Sequence, residues 1–298
     1  MKILLRIFLF LCIFMVHAGA VCAQNTGETK DRAVYEKVHG ALTDRSSDSS
    51  TDLSSRPMGE LVLAVAKTKL GTPYVASLLE IEPESLQIIL DRTDCMLFVE
   101  TCTAMALTFK GLEVVQGGTP VSSEPSFELF CRNVQNLRYR GGVIDGYPSR
   151  LHYTSEWIQQ AQTNGILTEL TADLGEMRAQ KFSFMSTHPQ SYRQLKDSPE
   201  NRKLIQETEL ELGYHGPYHF VSQRRLSDPS VAGQIKDGDI LAFVSNVEGL
   251  DVTHVAIACT VDGKMHFIHA STSSMKVIVE PKTLAEYAKA GVRIIRLN

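Results

Sequence analysis

The sequence predicts an α+β fold in which helices come first and an antiparallel sheet follows. The strongest helix signal is the run Cys95–Phe109, CMLFVETCTAMALTF, which lacks Gly and Pro and is apolar on nearly every face. A helix that is apolar all round is normally buried. After residue 239 the chain consists mainly of short apolar runs separated by tight turns, which is typical of a β-meander. Helices that precede strands, instead of alternating with them, favour an α+β fold.

Sequence signals also mark where the early helices begin and end. In Met58–Leu70 apolar residues recur at helical spacing. Gly71 follows the last of them, and Pro73 prevents the helix from continuing. Asp94 directly precedes the apolar helix as a natural N-cap, and Gly111 ends that helix.

The middle of the chain has a looser pattern. Residues 24–57 are expected to form an N-terminal segment with a Ser-rich linker. We expect a single domain over residues 58–298, with a largely helical insertion at about 111–235. Helical runs are expected within that insertion at 124–136, 155–163 and 200–212.

The final sixty residues predict the antiparallel sheet. Asp262-Gly263 is the kind of pair that closes a two-residue hairpin. A helix over Thr283–Ala290 is expected before the last strand. The predicted strands are Ile240–Val244, Val252–Cys259, Met265–Ala270, Lys276–Glu280 and Arg293–Leu297.

The first 23 residues are typical of a secretory signal peptide. Lys2 and Arg6 form a basic start, Ile7–Val16 is an unbroken apolar run, and Val21-Cys22-Ala23 offers small residues before a cleavage site. The run is too short to span a bilayer. We therefore expect export to the periplasm without a membrane anchor. Lipidation at Cys22 is an alternative, although Val21 stands where a lipoprotein signal has Gly, Ala or Ser.

Composition excludes several classes of protein. The chain has 298 residues, of which 43% are hydrophobic and 21% charged, so it can form a packed core. Thirty basic and 34 acidic residues give a net charge of −4, without the basic excess of a nucleic-acid binder. His215 and His219 have metal-like spacing, but Gly216-Pro217 between them breaks a helix. We expect no metal, no cofactor and no nucleic-acid partner.

The cysteines supply a candidate nucleophile. Cys95, Cys102, Cys131 and Cys259 follow the signal peptide. Cys95 and Cys102 would be about 10.5 Å apart along a helix axis, too far for a disulfide, whereas a pairing of Cys131 with Cys259 stays open. Cys95 is expected in the first helical turn, where the helix dipole favours a thiolate. The alternative is that both thiols are small core side chains, and this is the prediction for Cys102.

Two histidines supply a candidate base. A thiol nucleophile needs a base, and the base needs an orienting partner. His254 opens one predicted strand and His269 ends the next, so paired strands could place both on one face of the sheet, beside the buried helix. His266 is three residues from His269 and therefore points to the opposite face. The alternative is that each is a hydrogen-bonded structural histidine.

Five separate elements, in this order and spacing, resemble the NlpC-type cell-wall cysteine peptidases. The resemblance covers about 60–110 and 236–298, and it implies a papain-like core with a buried nucleophile helix packed on an antiparallel sheet. Ser77 and Ala256 stand where many members of the family have Gly. The five elements are Leu70-Gly-Thr-Pro-Tyr74, Asp94-Cys95, Gly238-Asp-Ile240, Thr253-His254-Val-Ala-Ile257 and Ile268-His269-Ala-Ser271.

Two further segments, Asp91–Glu100 and Ser149–Trp157, resemble the NlpC-like N-acetylmuramoyl-L-alanine amidases. That group is associated with the turnover of anhydromuropeptides, so peptidoglycan fragments are the expected partner. The resemblance implies that Cys95 attacks the amide between the lactyl group of muramic acid and L-alanine. His254 would act as acid and base, and His269 would orient His254.

The resemblance also implies binding roles. The backbone N–H of Cys95 and the hydroxyl of Tyr74 would stabilise the oxyanion. Four more residues are candidates for substrate binding, with a salt bridge or a core position as the alternative for each: Arg92, Glu100, His152 and Tyr153.

Two other functions remain open at this point. An endopeptidase that cuts the γ-D-glutamyl bond of the stem peptide would use the same nucleophile and base, because these groups do not select the substrate. A binding module for wall fragments with an inactive site is the second alternative. An unreactive thiol at Cys95 would favour the binding module.

Overall fold

The computed structural model describes residues 26–43 and 52–298. The predicted signal peptide over residues 1–23, the alternative lipidation site Cys22 and residues 44–51 of the Ser-rich stretch lie outside the described residues. Across the described ranges, no helix is both long and apolar enough to cross a lipid bilayer.

The fold is α+β, as predicted, and its helices and strands follow one another in this order. The helices are α1 Thr26–Thr43, α2 Met58–Thr68, α3 Cys95–Phe109, α4 Phe127–Arg138, α5 Thr154–Thr163, α6 Thr171–Leu174, α7 Phe184–Thr187, α8 Arg193–Lys196, α9 Pro199–Tyr214, α10 Gln223–Leu226, α11 Pro229–Ala232 and α12 Leu284–Tyr287. The strands are β1 Leu112–Glu113, β2 Val121–Ser122, β3 Leu167–Glu169, β4 Glu176–Arg178, β5 Tyr218–Phe220, β6 Ile240–Val244, β7 Val252–Val261, β8 Lys264–Ser271, β9 Lys276–Val279 and β10 Val292–Leu297.

A six-stranded antiparallel sheet forms the centre of the molecule, in the order β3-β10-β6-β7-β8-β9. The hairpin between β7 and β8 turns at Asp262 and Gly263, whose φ angles are 48° and 73°. Two successive positive φ angles are the signature of a type I′ turn, whose twist matches that of the strands. Residues 252–271 therefore form one tightly linked hairpin, as the sequence predicted.

Helix α3 packs on this sheet. Every residue of α3 from Leu97 to Phe109 is buried, because α2 and α4 flank it and β7 and β8 lie beneath it. The strand side chains that meet this core include Ile257 and Ile268. The opposite face of the sheet carries Phe243 and Phe267, which pack in a second core together with part of α12.

Several predicted boundaries are confirmed and others are corrected. Helix α3 and strand β6 begin and end as predicted. Helix α2 ends at Thr68, two residues early, with Lys69 as its C-cap. The helix expected over Thr283–Ala290 is only the short α12.

Residues 111–235, which are expected to be an insertion, contain helices α4 to α11 and also contribute to the sheet. Strand β3 pairs with the last strand, β10, at the edge of the main sheet, and β4 and β5 form a separate ribbon. Helix α1 was not predicted. Its buried residues Tyr35, Val38 and Leu42 pack in the α3 core, where Tyr35 contacts Phe127 and Phe130.

Candidate active site

Cys95 is the first residue of α3. The Asp94 carboxylate caps the helix by accepting a 2.8 Å hydrogen bond from the backbone N–H of Leu97, as the sequence predicted. The backbone N–H of Cys95 is among the first-turn donors that have no partner inside a helix. The Cys95 thiol also meets the backbone of Val255, the residue after His254. The start of α3 is thereby joined to the start of β7.

The thiol of Cys95 is protonated in the free protein. Burial raises its pKa to about 11, and the neighbouring Asp94 carboxylate raises it further. Backbone N–H groups of Val255, Met96 and Cys95 itself oppose this shift. Removal of the sulfur from water therefore opposes the thiolate that the helix N-terminus is expected to favour.

His254 and His269 are hydrogen-bonded, with Nε2 of His254 2.6 Å from Nδ1 of His269. Their common face follows from the register, in which Ile257 of β7 pairs with Ile268 of β8. His254 is three residues from Ile257 and His269 is one residue from Ile268, so both histidines face away from that pair. The prediction that the two share one face is confirmed, but this face carries Phe243 and Phe267 and is opposite to the face on which α3 packs.

The backbone changes register just before His254. His254 is opposite Phe243, whereas Val252 is opposite Val244, so Thr253 is an extra residue on β7. Such bulges re-aim the neighbouring side chain and are common beside active sites. The His254 ring stacks on Phe243, with ring centroids 5.9 Å apart.

Both imidazoles are uncharged near neutral pH. Burial lowers the pKa of His254 to about 3, and the nearby His269 lowers it further. Burial also lowers the pKa of His269, although the Glu280 carboxylate opposes that shift. An uncharged imidazole is the form that can accept a proton from a thiol.

Two residues of the site were missed by the sequence analysis. Oε2 of Glu280 lies 3.3 Å from Nε2 of His269. The Tyr287 ring packs edge-on against His269 and Phe267. Burial raises the pKa of its phenol, with smaller contributions from Glu280 and Cys95. No local motif surrounds either residue, so only the β8–β9 pairing and the position of α12 could have revealed them.

Tyr74 interacts electrostatically with Cys95. Its backbone N–H donates to the carbonyl of Met275, and a short bridge pairs it with Thr93. Burial raises the pKa of its phenol, with a second contribution from Cys95. Ser77, which stands where Gly is common in the family, has a φ of 58° in the same loop, a conformation that favours Gly.

Glu100 belongs to a buried ion pair beside the site. Its carboxylate accepts a 2.9 Å hydrogen bond from Nε of Arg138, and each side chain is only 4% exposed. Both residues line a cavity of about 60 Å³ next to the first turn of α3, together with Asp94 and Trp157. The salt-bridge alternative for Glu100 is therefore observed, at the wall of a cavity.

The other three candidates for substrate binding do not line this cavity. Arg92 is part-exposed and bonds Asp91 at 2.9 Å. The structure does not bring Tyr153 to the site, because Tyr153 is 2% exposed and its hydroxyl donates to Glu209 at 2.7 Å. His152 likewise bonds the carbonyl of Tyr147 through Nε2 at 2.9 Å. Both are held by the interior of the insertion.

The remaining thiols belong to the core. Cys102 is fully buried, as predicted, and burial raises its pKa to about 12. Cys259 carries a free thiol, so the open pairing with Cys131 is not formed. Within residues 26–43 and 52–298 no cluster of three or more His, Cys, Asp or Glu side chains could hold a metal ion.

Comparison with solved structures relates this fold to known proteins. An N-acetylmuramoyl-L-alanine amidase from Bacteroides uniformis is 36% identical, with a TM-score of 0.73, over 81% of this chain and 99% of that chain. A Bacteroides fragilis protein named as a candidate xylanase is 38% identical, with a TM-score of 0.69, over 78% of this chain and 98% of that chain. A Legionella pneumophila protein shares the fold alone, at 18% identity and a TM-score of 0.62, over 91% of this chain and 95% of that chain.

No curated protein matches the chain significantly. The AmiA-like family, described as N-acetylmuramoyl-L-alanine amidase-like, matches residues 64–292. This range contains the helix that begins at Cys95 and both histidine-bearing strands. Because the match spans well over half of the sequence, the chain belongs to the AmiA-like family of N-acetylmuramoyl-L-alanine amidase-like proteins.

Proposed function

We propose that the protein is an exported cysteine amidase with a papain-like core of the NlpC type. It hydrolyses the amide between N-acetylmuramic acid and L-alanine in peptidoglycan fragments, with anhydromuropeptides as the principal substrates. The observation that carries the proposal is the hydrogen-bonded pair of imidazoles: His254 lies on β7 next to Val255, whose backbone meets the Cys95 thiol, and His269 lies on the paired strand β8. A buried thiol at a helix start, in contact with the residue that follows an oriented imidazole, supports the assignment of a nucleophile and its base.

The first half of the reaction forms a thioester. Nε2 of His254 is occupied by His269, so Nδ1 of His254 is the atom that takes the proton from Cys95. The sulfur bonds to the amide carbon, and the carbonyl electrons move to oxygen. The carbon–nitrogen bond then breaks, and His254 returns the proton to the nitrogen of L-alanine.

The second half releases the sugar. Water attacks the thioester carbon while His254 accepts a proton from it. The carbon–sulfur bond then breaks, and His254 returns the proton to the sulfur, so that Cys95 leaves as the thiol and the sugar leaves as the carboxylic acid. The backbone N–H of Cys95 and the Tyr74 hydroxyl stabilise the oxyanion in both halves. Because thiol and imidazole are both uncharged at rest, proton transfer accompanies attack, as it does for a serine nucleophile.

Substrate recognition is assigned to the cavity beside the first turn of α3. The cavity next to Asp94 is lined by Glu100 and Arg138, which present a carboxylate and a guanidinium. Arg92 is part-exposed and lines a small neighbouring pocket with Thr72 and Thr93. Polar groups of this kind recognise amide and carboxylate groups such as those of a stem peptide.

Product analysis tests the proposal. Mature protein is incubated with MurNAc-tripeptide and with its 1,6-anhydro form, and the products are identified by mass spectrometry. Release of intact tripeptide by wild type but not by Cys95→Ala supports the amidase. A shortened peptide supports the γ-D-glutamyl endopeptidase instead, and no turnover of either compound under reducing conditions supports the binding module. Cys102→Ala is the matched control and should release tripeptide.

Export is tested separately. The basic and apolar start of the chain, residues 1–23, supports the proposal of a cleaved signal peptide. N-terminal analysis of the protein recovered from a periplasmic fraction should begin near residue 24. A retained Met1, or a lipid on Cys22, would contradict this part of the proposal.

A further inference from the structure

We propose that Glu280 is a positioning residue that sets the tautomer of His269 and thereby the proton-accepting atom of His254. This inference rests on the proposed roles of Cys95 and His254. It adds Glu280 as a fourth side chain to Cys95, His254 and His269. The observation behind it is a chain of contacts from His254 through His269 to the Glu280 carboxylate.

The register places Glu280 on the same side of the sheet as His269. His269 of β8 is opposite Ile278 of β9, and Glu280 is two residues beyond Ile278, so their side chains point the same way. The Glu280 side chain is only 12% exposed. Outside this contact, Nε2 of His269 has no hydrogen-bond partner among the described residues, although it is buried.

Hydrogen bonds of its backbone and of its carboxylate fix the position of Glu280. Its N–H donates to the carbonyl of Phe267 at 2.9 Å, and its carbonyl lies 3.0 Å from Nδ1 of His266. Oε1 accepts from the backbone N–H of Lys282 at 3.2 Å. The second oxygen, Oε2, is therefore the one directed at His269. A separation of 3.3 Å is long for a hydrogen bond, and such contacts commonly shorten when substrate binds.

The consequence concerns where the protons sit. A carboxylate can only accept, so it favours the His269 tautomer with hydrogen on Nε2. Nδ1 of His269 is then an acceptor, and Nε2 of His254 must donate to it. Neutral His254 consequently has its lone pair on Nδ1, the atom that has to take the proton of Cys95. When His254 becomes an imidazolium, it donates to Nδ1 of His269, which in turn donates from Nε2 to the Glu280 carboxylate. These two contacts stabilise the positive charge.

Without the carboxylate the opposite arrangement becomes available. His269 could then donate from Nδ1 to Nε2 of His254, which would leave hydrogen on Nδ1 of His254 and no acceptor for the thiol. The charged and titratable groups around His269 are His254 on β7, Glu280 after β9 and Tyr287 on α12. Glu280 is the carboxylate among these three groups, and a carboxylate accepts hydrogen bonds, so it is the group that selects the tautomer.

The surface behind Glu280 makes a specific test feasible. An open cleft of about 440 Å³ is lined by Glu280, His266 and Lys264 among other residues. In Glu280→Ala the missing carboxylate would leave a space at the wall of this cleft, which is open to solvent. A small carboxylate such as formate could enter that space and replace the missing group.

The experiment compares Glu280→Gln, Glu280→Asp and Glu280→Ala with the control Glu248→Gln, an exposed carboxylate 85% accessible to solvent. Glu280→Gln should lower kcat/KM by about 10- to 100-fold, less than the loss of a carboxylate that contacts the base directly. Glu280→Asp should retain more activity than Glu280→Gln. Formate should raise the activity of Glu280→Ala in a saturable way and leave that of Glu248→Gln unchanged.

A second readout does not depend on substrate. Nitrogen-15 spectra of histidine-labelled protein report which ring nitrogen carries hydrogen, and wild type should show His269 protonated on Nε2. In Glu280→Gln the population with hydrogen on Nδ1 should grow. An unchanged tautomer, or no rescue of Glu280→Ala by formate, would overturn the inference. Because the spectra need no turnover, they separate failure of this inference from failure of the proposed amidase activity.

Discussion

Nε2 of His254 lies 2.6 Å from Nδ1 of His269 across two paired strands, and neither ring is exposed enough to hold a charge readily. An ordinary histidine gains its proton near pH 6.5. Burial and His269 lower the pKa of His254 to about 3, so His254 should remain a proton acceptor in moderately acidic solution.

The first prediction concerns the acid limb of the pH–rate profile. A base with a lowered pKa keeps its lone pair until the pH falls to that value, so kcat/KM should not fall between pH 7 and pH 5 through protonation of His254. The measurement is kcat/KM against pH on a muropeptide substrate, with stability checked at each pH. A midpoint close to 6.5 would show that His254 is solvated as in a free peptide.

The second prediction concerns the reactivity of Cys95. Because burial raises the pKa of this thiol to about 11, the thiolate fraction should increase about tenfold for each pH unit below that value. The rate of alkylation by iodoacetamide, followed by mass spectrometry, should therefore keep rising between pH 7 and pH 10. A plateau below pH 8 would instead indicate a preformed thiolate–imidazolium pair. Cys95→Ala identifies the labelled site.

The third prediction separates the two effects of Asp94. Asn caps helices about as well as Asp, so Asp94→Asn should leave the free energy of unfolding nearly unchanged. The substitution removes a negative charge that raises the pKa of Cys95, so alkylation of Cys95 at pH 8 should accelerate. Asp94→Ala also removes the bond to Leu97 and should cost about 1 kcal/mol of stability. Equal alkylation rates in wild type and Asp94→Asn would contradict the electrostatic part.

The fourth prediction concerns the buried pair of Glu100 and Arg138. Arg138→Met leaves the Glu100 carboxylate buried without its cation, and such a loss typically costs about 3–5 kcal/mol. The double variant Arg138→Met with Glu100→Leu should be less destabilised than Arg138→Met alone, because no unpaired charge remains. Urea unfolding measures both. Lys203→Ala, in an exposed pair with Glu207, is the control and should change stability by less than about 0.5 kcal/mol.

The fifth prediction concerns the backbone of the loop that carries Tyr74. Ser77 has a φ of 58°, where a β-branched residue is strained, so Ser77→Val should destabilise the protein by about 1–2 kcal/mol. Ser77→Gly should be close to neutral, since relief of strain is offset by the flexibility of Gly in the unfolded chain. Ala76→Val, at a neighbouring exposed position without a positive φ, is the control. Equal effects of the two Val substitutions would contradict this account.

Local signals accounted for the parts of the fold that depend on neighbouring residues. The N-cap at Asp94 and a run without Gly or Pro specify α3, and Asp262-Gly263 specifies the hairpin of β7 and β8. Helix α1 was missed because Tyr35, Val38 and Leu42 form a sparse apolar stripe among charged residues. That stripe becomes buried only when it packs on the aromatic rings of α3 and α4.

The sequence alone determined which residue types could do the chemistry and the order in which they occur: a cysteine at a helix start, then two histidines on consecutive strands. Only the tertiary structure decided their ionisation and their partners. Burial, which no short segment encodes, overrides the helix field at Cys95 and keeps the thiol protonated. The contact of His269 with Glu280 depends on the pairing of β8 with β9, because residues eleven apart in sequence meet only when the chain has folded back.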